Sequence, residues 1–344
     1  MPFYKCSKCG RIWQYPLSEC PYCIIGLDKM FANQSKVIEV SKVMIPTTRH
    51  SFVPYNACII EDENKNKWAH KTTQDIKVGD DLSFEAKQDP KIVGVWRIKY
   101  DFIEAIERTI DLIGGINFNE NSKVLILPTL ISITQPYFRE NTSPEFLMAI
   151  LDFLLSKKVK LENIKIGSQS FGEIPIEAMA DKSGLLKVCL KNNITPLDLS
   201  KLGFVKQDNL EISEEALKAD VVFNLVVPKA GKAKATENSF YILKKENYLG
   251  LKYLNSDKEI AKDLQAGLPK MVNLAEAEYL QTADGLIVFL GLFLASRSFI
   301  NLDMILNEII MEKKLPEILT EMKIEEIPIA GRDIKEVQLD INRI

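Results

Sequence analysis

Two cysteine pairs near the start of the chain, Cys6-x-x-Cys9 and Cys20-x-x-Cys23, constrain its fold more than any other feature. Each C-x-x-C turn aims two sulfurs at one point. Two such turns in one short segment supply the four thiolates of a tetrahedral structural metal site. Gly10, directly after the first pair, suits the tight backbone of such a knuckle. A four-thiolate site leaves no open coordination position, so the metal is expected to fold the segment and not to catalyse. Structural Zn2+ is the expected ion; rubredoxin-type iron uses the same ligands, and spacing does not separate the two. A redox C-x-x-C normally occurs once, in a strand-to-helix turn, and paired disulfides suit a secreted chain. Residues 1–30 lack the basic start and apolar run of a signal peptide. The other thiols, Cys58 and Cys189, sit in apolar runs and read as small core residues.

A chain of 344 residues can bury two or three cores, and its net charge of -3 argues against broad nucleic-acid binding. The most apolar stretch, residues 285–295, is about half the length of a bilayer span and reads as a buried strand running into a helix. The expectation is therefore a cytoplasmic protein with no membrane segment. His50 and His70 are the only histidines, which excludes a histidine-rich metal site and limits histidine-based acid–base chemistry.

Short apolar and alternating runs at residues 36–44, 55–60, 67–70 and 76–84, separated by the polar turn at 62–66 and by Gly79-Asp80, suggest a small closed β-barrel. Gln88-Asp89-Pro90 breaks the pattern and reads as a linker. Beyond Lys91 the periods alternate between strand and helix. Strands are expected at 93–98, 123–127, 164–167, near Val188, and at 220–227. Helices are expected at 102–113, stopped by Gly114-Gly115, at 144–155 with Ser143 as N-cap, and around 176–186. Such alternation predicts an α/β domain with a mostly parallel sheet covered on both faces. The charged C-terminal piece, residues 318–344, reads as a short closing strand or an interface tail.

The N-terminal residues from Tyr4-Lys-Cys-Ser-Lys-Cys-Gly10 through Cys20-Pro-Tyr-Cys23, with Phe52-Val-Pro-Tyr55, Glu61-Asp-Glu63 and Ile76-Lys-Val-Gly-Asp80, resemble a known family. It is the rubredoxin-like zinc ribbon plus OB-fold family that accompanies acyl-CoA enzymes (domain-of-unknown-function family thirty-five). The resemblance implies a non-catalytic partner that binds or channels acyl-CoA, working with an acyl-CoA-handling enzyme such as a thiolase-type condensing enzyme. An open barrel face can hold an adenine or pantetheine arm with aromatic and basic groups, for which Tyr55, Trp68, His70 and Lys71 are candidates. The plainer alternative makes Tyr55 and Trp68 barrel core.

The later segments Lys123-Val-Leu-Ile-Leu-Pro128, Ile164-Lys-Ile-Gly167, residues 220–229, 244–250 and 294–303 resemble a second, uncharacterised α/β family (domain-of-unknown-function family three hundred sixty-two). Three departures stand out. Leu127-Pro128-Thr129 replaces that family's Lys-Pro-Asn, no histidine occurs in Lys229-Ala-Gly-Lys-Ala-Lys234, and Ser298 stands where an acid is usual. A cation, an imidazole and a carboxylate are thus lost together, which points to a binding descendant. Asn224, Lys229, Lys232, Lys244, Ser296 and Asp303 remain. The expected architecture is multidomain: a zinc ribbon over 1–33, an OB-type barrel over 34–88 and the α/β domain over 91–344.

Lysines at 229, 232 and 234 follow the strand expected at 220–227, on the side where open α/β sheets bind ligands; together with Asn224 they form a candidate anion site. The glycine spacing is not that of a Walker loop, and a solvated basic loop is the alternative. The loop Gly167-Ser-Gln-Ser-Phe-Gly172 is a weaker candidate cradle. No catalytic residue is assigned. The leading expectation is an acyl-CoA-associated binding or scaffold protein. The alternative is an enzyme of the α/β domain acting on an anionic substrate with a separate iron–sulfur partner.

Overall fold

The computed structural model describes residues 2–15, 17–32, 34–45, 53–72, 75–83, 89–99, 101–311, 315–320 and 324–339. His50, Phe52, Phe84, Gln88 and residues 340–344 lie outside the described residues. The chain divides into two compact units, Met1–Lys87 and Gln88–Ile344.

In the first unit, β1 (Pro2–Lys5), β2 (Ile12–Trp13) and β3 (Asp28–Phe31) form an antiparallel sheet in the order β2-β1-β3. A second antiparallel sheet follows, built from β4 (Gln34–Val43), β5 (Tyr55–Asp62), β6 (Lys67–Thr72) and β7 (Asp81–Ser83) in the order β6-β5-β4-β7. Strand periodicity sorts β5: Asn56, Cys58, Ile60 and Asp62 are buried, while their neighbours are more exposed. Phe3, Val37, Cys58, Ile60, Trp68 and Ile76 share one core, so ribbon and sheet are packed together. The polar turn at 62–66 is held by Asp62, whose carboxylate accepts from the Asn64 and Asn66 N–H groups, the Asn66 amide and the Trp68 indole. Gly79, at φ +97°, donates to the Val37 carbonyl and turns the chain back along β4. The strands expected for a barrel are present and antiparallel. Among the described residues their pairing ends at β6 and β7 and does not close into a ring.

The second unit carries an eight-stranded, mostly parallel sheet. Its elements run β8 (Val93–Arg97), α1 (Phe102–Leu112), β9 (Val124–Pro128), α2 (Pro144–Ser156), β10 (Ile164–Ser168), α3 (Ile176–Lys182), α4 (Leu185–Lys191) and β11 (Leu197–Asp198). The hairpin β12 (Phe204–Gln207) and β13 (Leu210–Ser213) forms its own two-stranded sheet and leads through α5 (Glu214–Lys218) into β14 (Val221–Val226). Next come α6 (Lys234–Ser239), α7 (Lys245–Leu254), α8 (Asp257–Gly267), β15 (Met271–Gln281), β16 (Ile287–Ser296), α9 (Phe299–Ile309), β17 (Ile329–Gly331) and α10 (Ile334–Val337). The strand order is β11-β10-β9-β14-β15-β16-β8-β17, with antiparallel pairing only at β15–β16 and β16–β8.

Alternate side chains of the central strands enter different cores. Val124 and Ile126 of β9 and Phe223 and Leu225 of β14 pack with apolar residues of α1 to α4. Leu125, Leu127, Val222 and Val226 pack with residues from α6 to α10. Ser143 caps α2 by accepting from the Phe146 N–H, and Gly114 and Gly115, both at positive φ, end α1. Residues 285–295 are, as expected, a strand that runs into a helix. Two expectations are corrected. The segment around Val188 is α4, because Leu185, Val188 and Cys189 recur at helical spacing and bury one side. The helix expected over 176–186 is broken at Gly184, whose φ of +80° is left-handed. Among the described residues, no helix is long and apolar enough to cross a membrane.

Candidate metal centre and the polar end of the large sheet

The four sulfurs of Cys6, Cys9, Cys20 and Cys23 lie within 4.8 Å of one another, and those of Cys9 and Cys20 are 3.7 Å apart. A tetrahedral ion with ligands at about 2.3 Å places its sulfurs about 3.8 Å apart, so the cage fits a single Zn2+-sized ion. Both knuckles fold alike. The N–H of Gly10 donates to the Cys6 carbonyl, and that of Ile24 donates to the Cys20 carbonyl. Gly10 and Ile24 both sit in the left-handed region, at φ +71° and +52°. The Cys9 N–H points at the Cys6 sulfur, 3.5 Å away. Arg11 lies over the Tyr22 ring at 4.0 Å and ties one knuckle to the other. The thiols titrate apart: the Arg11 backbone N–H pulls Cys9 down to about 6, whereas burial and then the neighbouring sulfurs push Cys23 up to about 12. Four thiolates of this arrangement can hold a metal and leave it no position for substrate.

The candidates on the second sheet separate. Trp68 is buried against Phe3, ring centroids 5.4 Å apart, and donates from its indole to Asp62. Tyr55 and Lys71 come together on neighbouring strands, the ammonium 4.3 Å from the ring centroid, and both are partly exposed. His70, on the same strand, lies opposite Cys58.

In the large unit, polar residues line up across three strands, with Asn224 paired in register to Asn273 and Asn273 to Ser296. Asn224 is fully buried. Its amide donates to Asn273 Oδ1 and the Ala235 carbonyl, and its oxygen accepts from Asn238 Nδ2. Asp303, on α9, accepts from the Ala235 and Thr236 N–H groups and from the Thr236 hydroxyl. Burial pushes Asp303 up to about 7 against those three donors. Lys244 pairs with Glu211, and Ser296 donates to the Ile92 carbonyl. Ser298 caps α9 by accepting from the Asn301 N–H. Asn224, Lys244, Ser296 and Asp303, four of the residues expected to remain, thus join strands, loops and helix ends to one another. Gln169, in the candidate cradle, spends its amide on the Tyr241 and Leu243 carbonyls.

Lys229 and Lys232 stand apart from this internal network. With Lys234 they line a small pocket beyond the end of β14, closed by Asp303 and Asn307 of α9 and by Leu280 of β15. Sequence reasoning missed a second polar cluster. Glu276, inside β15, accepts from the Ser143 hydroxyl at 2.8 Å and from Arg139 at 3.0 Å, and burial pushes it up to about 7. The signal that could have found it is the pair Glu276 and Glu278 inside a largely apolar run that also carries Asn273.

No protein-family profile matches the chain. No curated protein matches it either. Among solved structures, the N-terminal region is similar to the Ltp2-ChsH2(DUF35) aldolase at 17% identity, covering 24% of this chain and 70% of that one, with a TM-score of 0.20. It is also similar to a protein of unknown function from the DUF35 family of Sulfolobus solfataricus. That match has 22% identity, covers 23% of this chain and 62% of the other, and has a TM-score of 0.17. Likeness of this extent assigns no function, and it leaves the second family resemblance without support.

Proposed function

We propose that the chain is a cytoplasmic, non-catalytic binding or scaffold protein for acyl-CoA or for an acyl-CoA-handling enzyme such as a thiolase-type condensing enzyme. Its first unit would be a zinc-ordered ribbon with an OB-type sheet, in keeping with the sequence resemblance to the ribbon and OB-fold family. The observation that carries this reading is the internal commitment of Asn224 and Asp303 in the large unit, which bind neighbouring backbone and side chains and present no free acid or base. The four-sulfur cage supports it, being suited to structure and not to substrate. Tyr55 and Lys71 would offer an aromatic face and a cation to the ligand's adenine or phosphates, with Trp68 in the core of the same unit.

The test is a thermal-shift titration of the metal-loaded full chain with CoA, acetyl-CoA and longer acyl-CoAs. ATP, inorganic phosphate and a single-stranded oligonucleotide serve as controls. A ligand present at a hundred times its dissociation constant stabilises by about 2.7 kcal/mol, and a shift specific to CoA thioesters is expected. No shift with any CoA compound, together with failure to copurify a condensing enzyme, sinks the reading.

A second reading makes the large unit an enzyme for an anionic substrate, with an iron–sulfur donor on a separate protein. The grouping of Lys229 and Lys232 around one pocket favours it. Turnover of an anionic substrate that disappears in Lys229→Ala/Lys232→Ala while folding stays intact would select this reading over the first.

A further inference from the structure

At the carboxyl ends of β8 and β17, four cations gather at one aromatic ring. Lys99, Arg332 and Arg108 carry their charges 5.3, 5.4 and 5.6 Å from the Trp96 ring centroid, so one ring ties their positions together. Arg97 joins them: burial, and then the Arg332 charge, hold both the Arg97 guanidinium and the Lys99 ammonium below their ordinary ranges. Two carboxylates answer two of the four. Glu104, on α1, accepts from Arg108 Nε at 3.0 Å and from the Trp96 indole at 3.3 Å. Glu336, on α10, faces Arg332 at 3.6 Å. Asp101 and Asp333 flank the cluster in sequence, and their carboxylates cap α1 and α10. Among the described residues, no carboxylate lies within ion-pair distance of Arg97 or Lys99. Arg97 donates from Nη2 to the Glu336 carbonyl, and no second acceptor among those residues takes the rest of its fork.

We infer that this cluster binds a diphosphate group, free or carried by a nucleoside diphosphate, with Arg97 and Lys99 on its oxygens and Arg332 beside them. Lys99 is exposed and Arg97, Trp96 and Arg332 are partly exposed, so the ligand reaches them on the open surface and needs no cavity. A diphosphate has two charged centres joined by one oxygen and can meet two cations at once. An arginine fork suits paired phosphate oxygens, and a lysine supplies a point charge. Bringing in that negative charge also relieves the repulsion among cations that lack carboxylates. Backbone bonds hold the platform before any ligand arrives. The Arg332 N–H donates to the Val95 carbonyl at 2.9 Å, and the Ile98 N–H donates to the Gly291 carbonyl at 3.0 Å. β8 runs in the same direction as β14 and β15, so the cluster lies at the strand ends where open α/β sheets bind ligands. The inference adds a ligand class to the large unit and depends neither on CoA binding by the first unit nor on turnover.

The test is calorimetric titration of the metal-loaded full chain with pyrophosphate, ADP and inorganic phosphate. Wild type is compared with Arg97→Gln/Lys99→Gln and with Lys229→Gln/Lys232→Gln, and thermal unfolding checks that each variant folds. Lys99→Gln alone stands in if loss of the Arg97 bond to α10 unfolds the double variant, because Lys99 is exposed and makes no hydrogen bond among the described residues. Pyrophosphate is expected to bind wild type, to bind roughly tenfold more weakly to Arg97→Gln/Lys99→Gln, and to bind Lys229→Gln/Lys232→Gln as it binds wild type. It is also expected to bind roughly tenfold more tightly than inorganic phosphate. ADP binding at least as tightly as pyrophosphate supports the site with a larger ligand as occupant, and weaker ADP binding supports it with the free ion. Absence of pyrophosphate binding, binding unchanged without Arg97 and Lys99, binding lost instead without Lys229 and Lys232, or phosphate binding as tightly as pyrophosphate overturns the inference. A CoA-thioester shift that persists in Arg97→Gln/Lys99→Gln belongs to the first unit and leaves this outcome legible on its own.

Discussion

Burial governs how the Glu276 carboxyl titrates in the large unit. Its carboxyl sits inside β15, where loss of solvent raises it from 4.5 to about 7 although Ser143 and Arg139 both donate to it. The folded value is above the unfolded one, so the folded state binds the extra proton. The stabilisation from this group is complete below about 4.5 and is lost as pH rises through about 7. Wild type is expected to lose more stability than Glu276→Gln between about pH 5 and pH 8 in urea denaturation, by about 1 kcal/mol or more. Parallel pH profiles for the two proteins would mean that the Arg139 pair keeps Glu276 ionised throughout. Ile24 makes a related point without titration. A β-branched residue occupies the left-handed position that Gly10 fills in the sister knuckle. The cysteine spacing, and not the residue that follows, therefore specifies the turn.

At the scale of elements, β17 is the least conspicuous strand and one of the most constrained. Gly331 sits at φ +95°, and a Cβ placed there would lie 2.3 Å from the Val95 carbonyl oxygen on β8. Gly331→Ala is expected to destabilise the large unit by about 2 kcal/mol, from backbone strain and steric displacement together. A change below about 0.5 kcal/mol in chemical denaturation would show that β17 can leave the sheet edge at little cost. Elements with strong local signals were legible in the sequence. Ser143-Pro144 announced α2, Gly114-Gly115 closed α1, and the apolar runs at β9, β14 and β16 read as strands. Several misread or missed elements had weak or competing signals, though α8, also missed, opens with a capping box of Ser256 and Glu259. Leu185 to Lys191 is apolar enough to pass for a strand until its helical spacing is counted. Met271 to Gln281 carries Asn273 and Glu276, whose partners come from distant segments. The metal cage was legible outright because cysteine spacing is local chemistry. The pocket was legible only as a lysine loop, since Asn307 and Asp303 reach it from α9.

For the whole molecule, the two units have separate cores and separate requirements. Among the described residues the core around Phe3 and Trp68 is small, with seven buried apolar residues and three others packed on it, so the first unit is expected to depend on its cage. The large unit has two extensive cores and no such dependence. A chelator is expected to abolish the first unit's calorimetric transition and leave that of the large unit intact. Lowering pH should weaken metal retention, because the thiols must lose their protons to bind. Two transitions indifferent to chelation would mean that the sulfurs hold no structural ion.

The position of β8 bears on how the protein comes into being. Among the described residues, 93–97 pair only with 292–296 and 329–331. β8 is therefore synthesised well before either neighbour, and until they follow Val93 and Val95 are apolar and uncovered. Such distant pairing slows folding and exposes a sticky edge to the cell. Burial of Val93 and Val95 cannot be completed before those distant strands exist, whereas the two cysteine pairs lie close together in the sequence and can gather around an ion without waiting for distant chain.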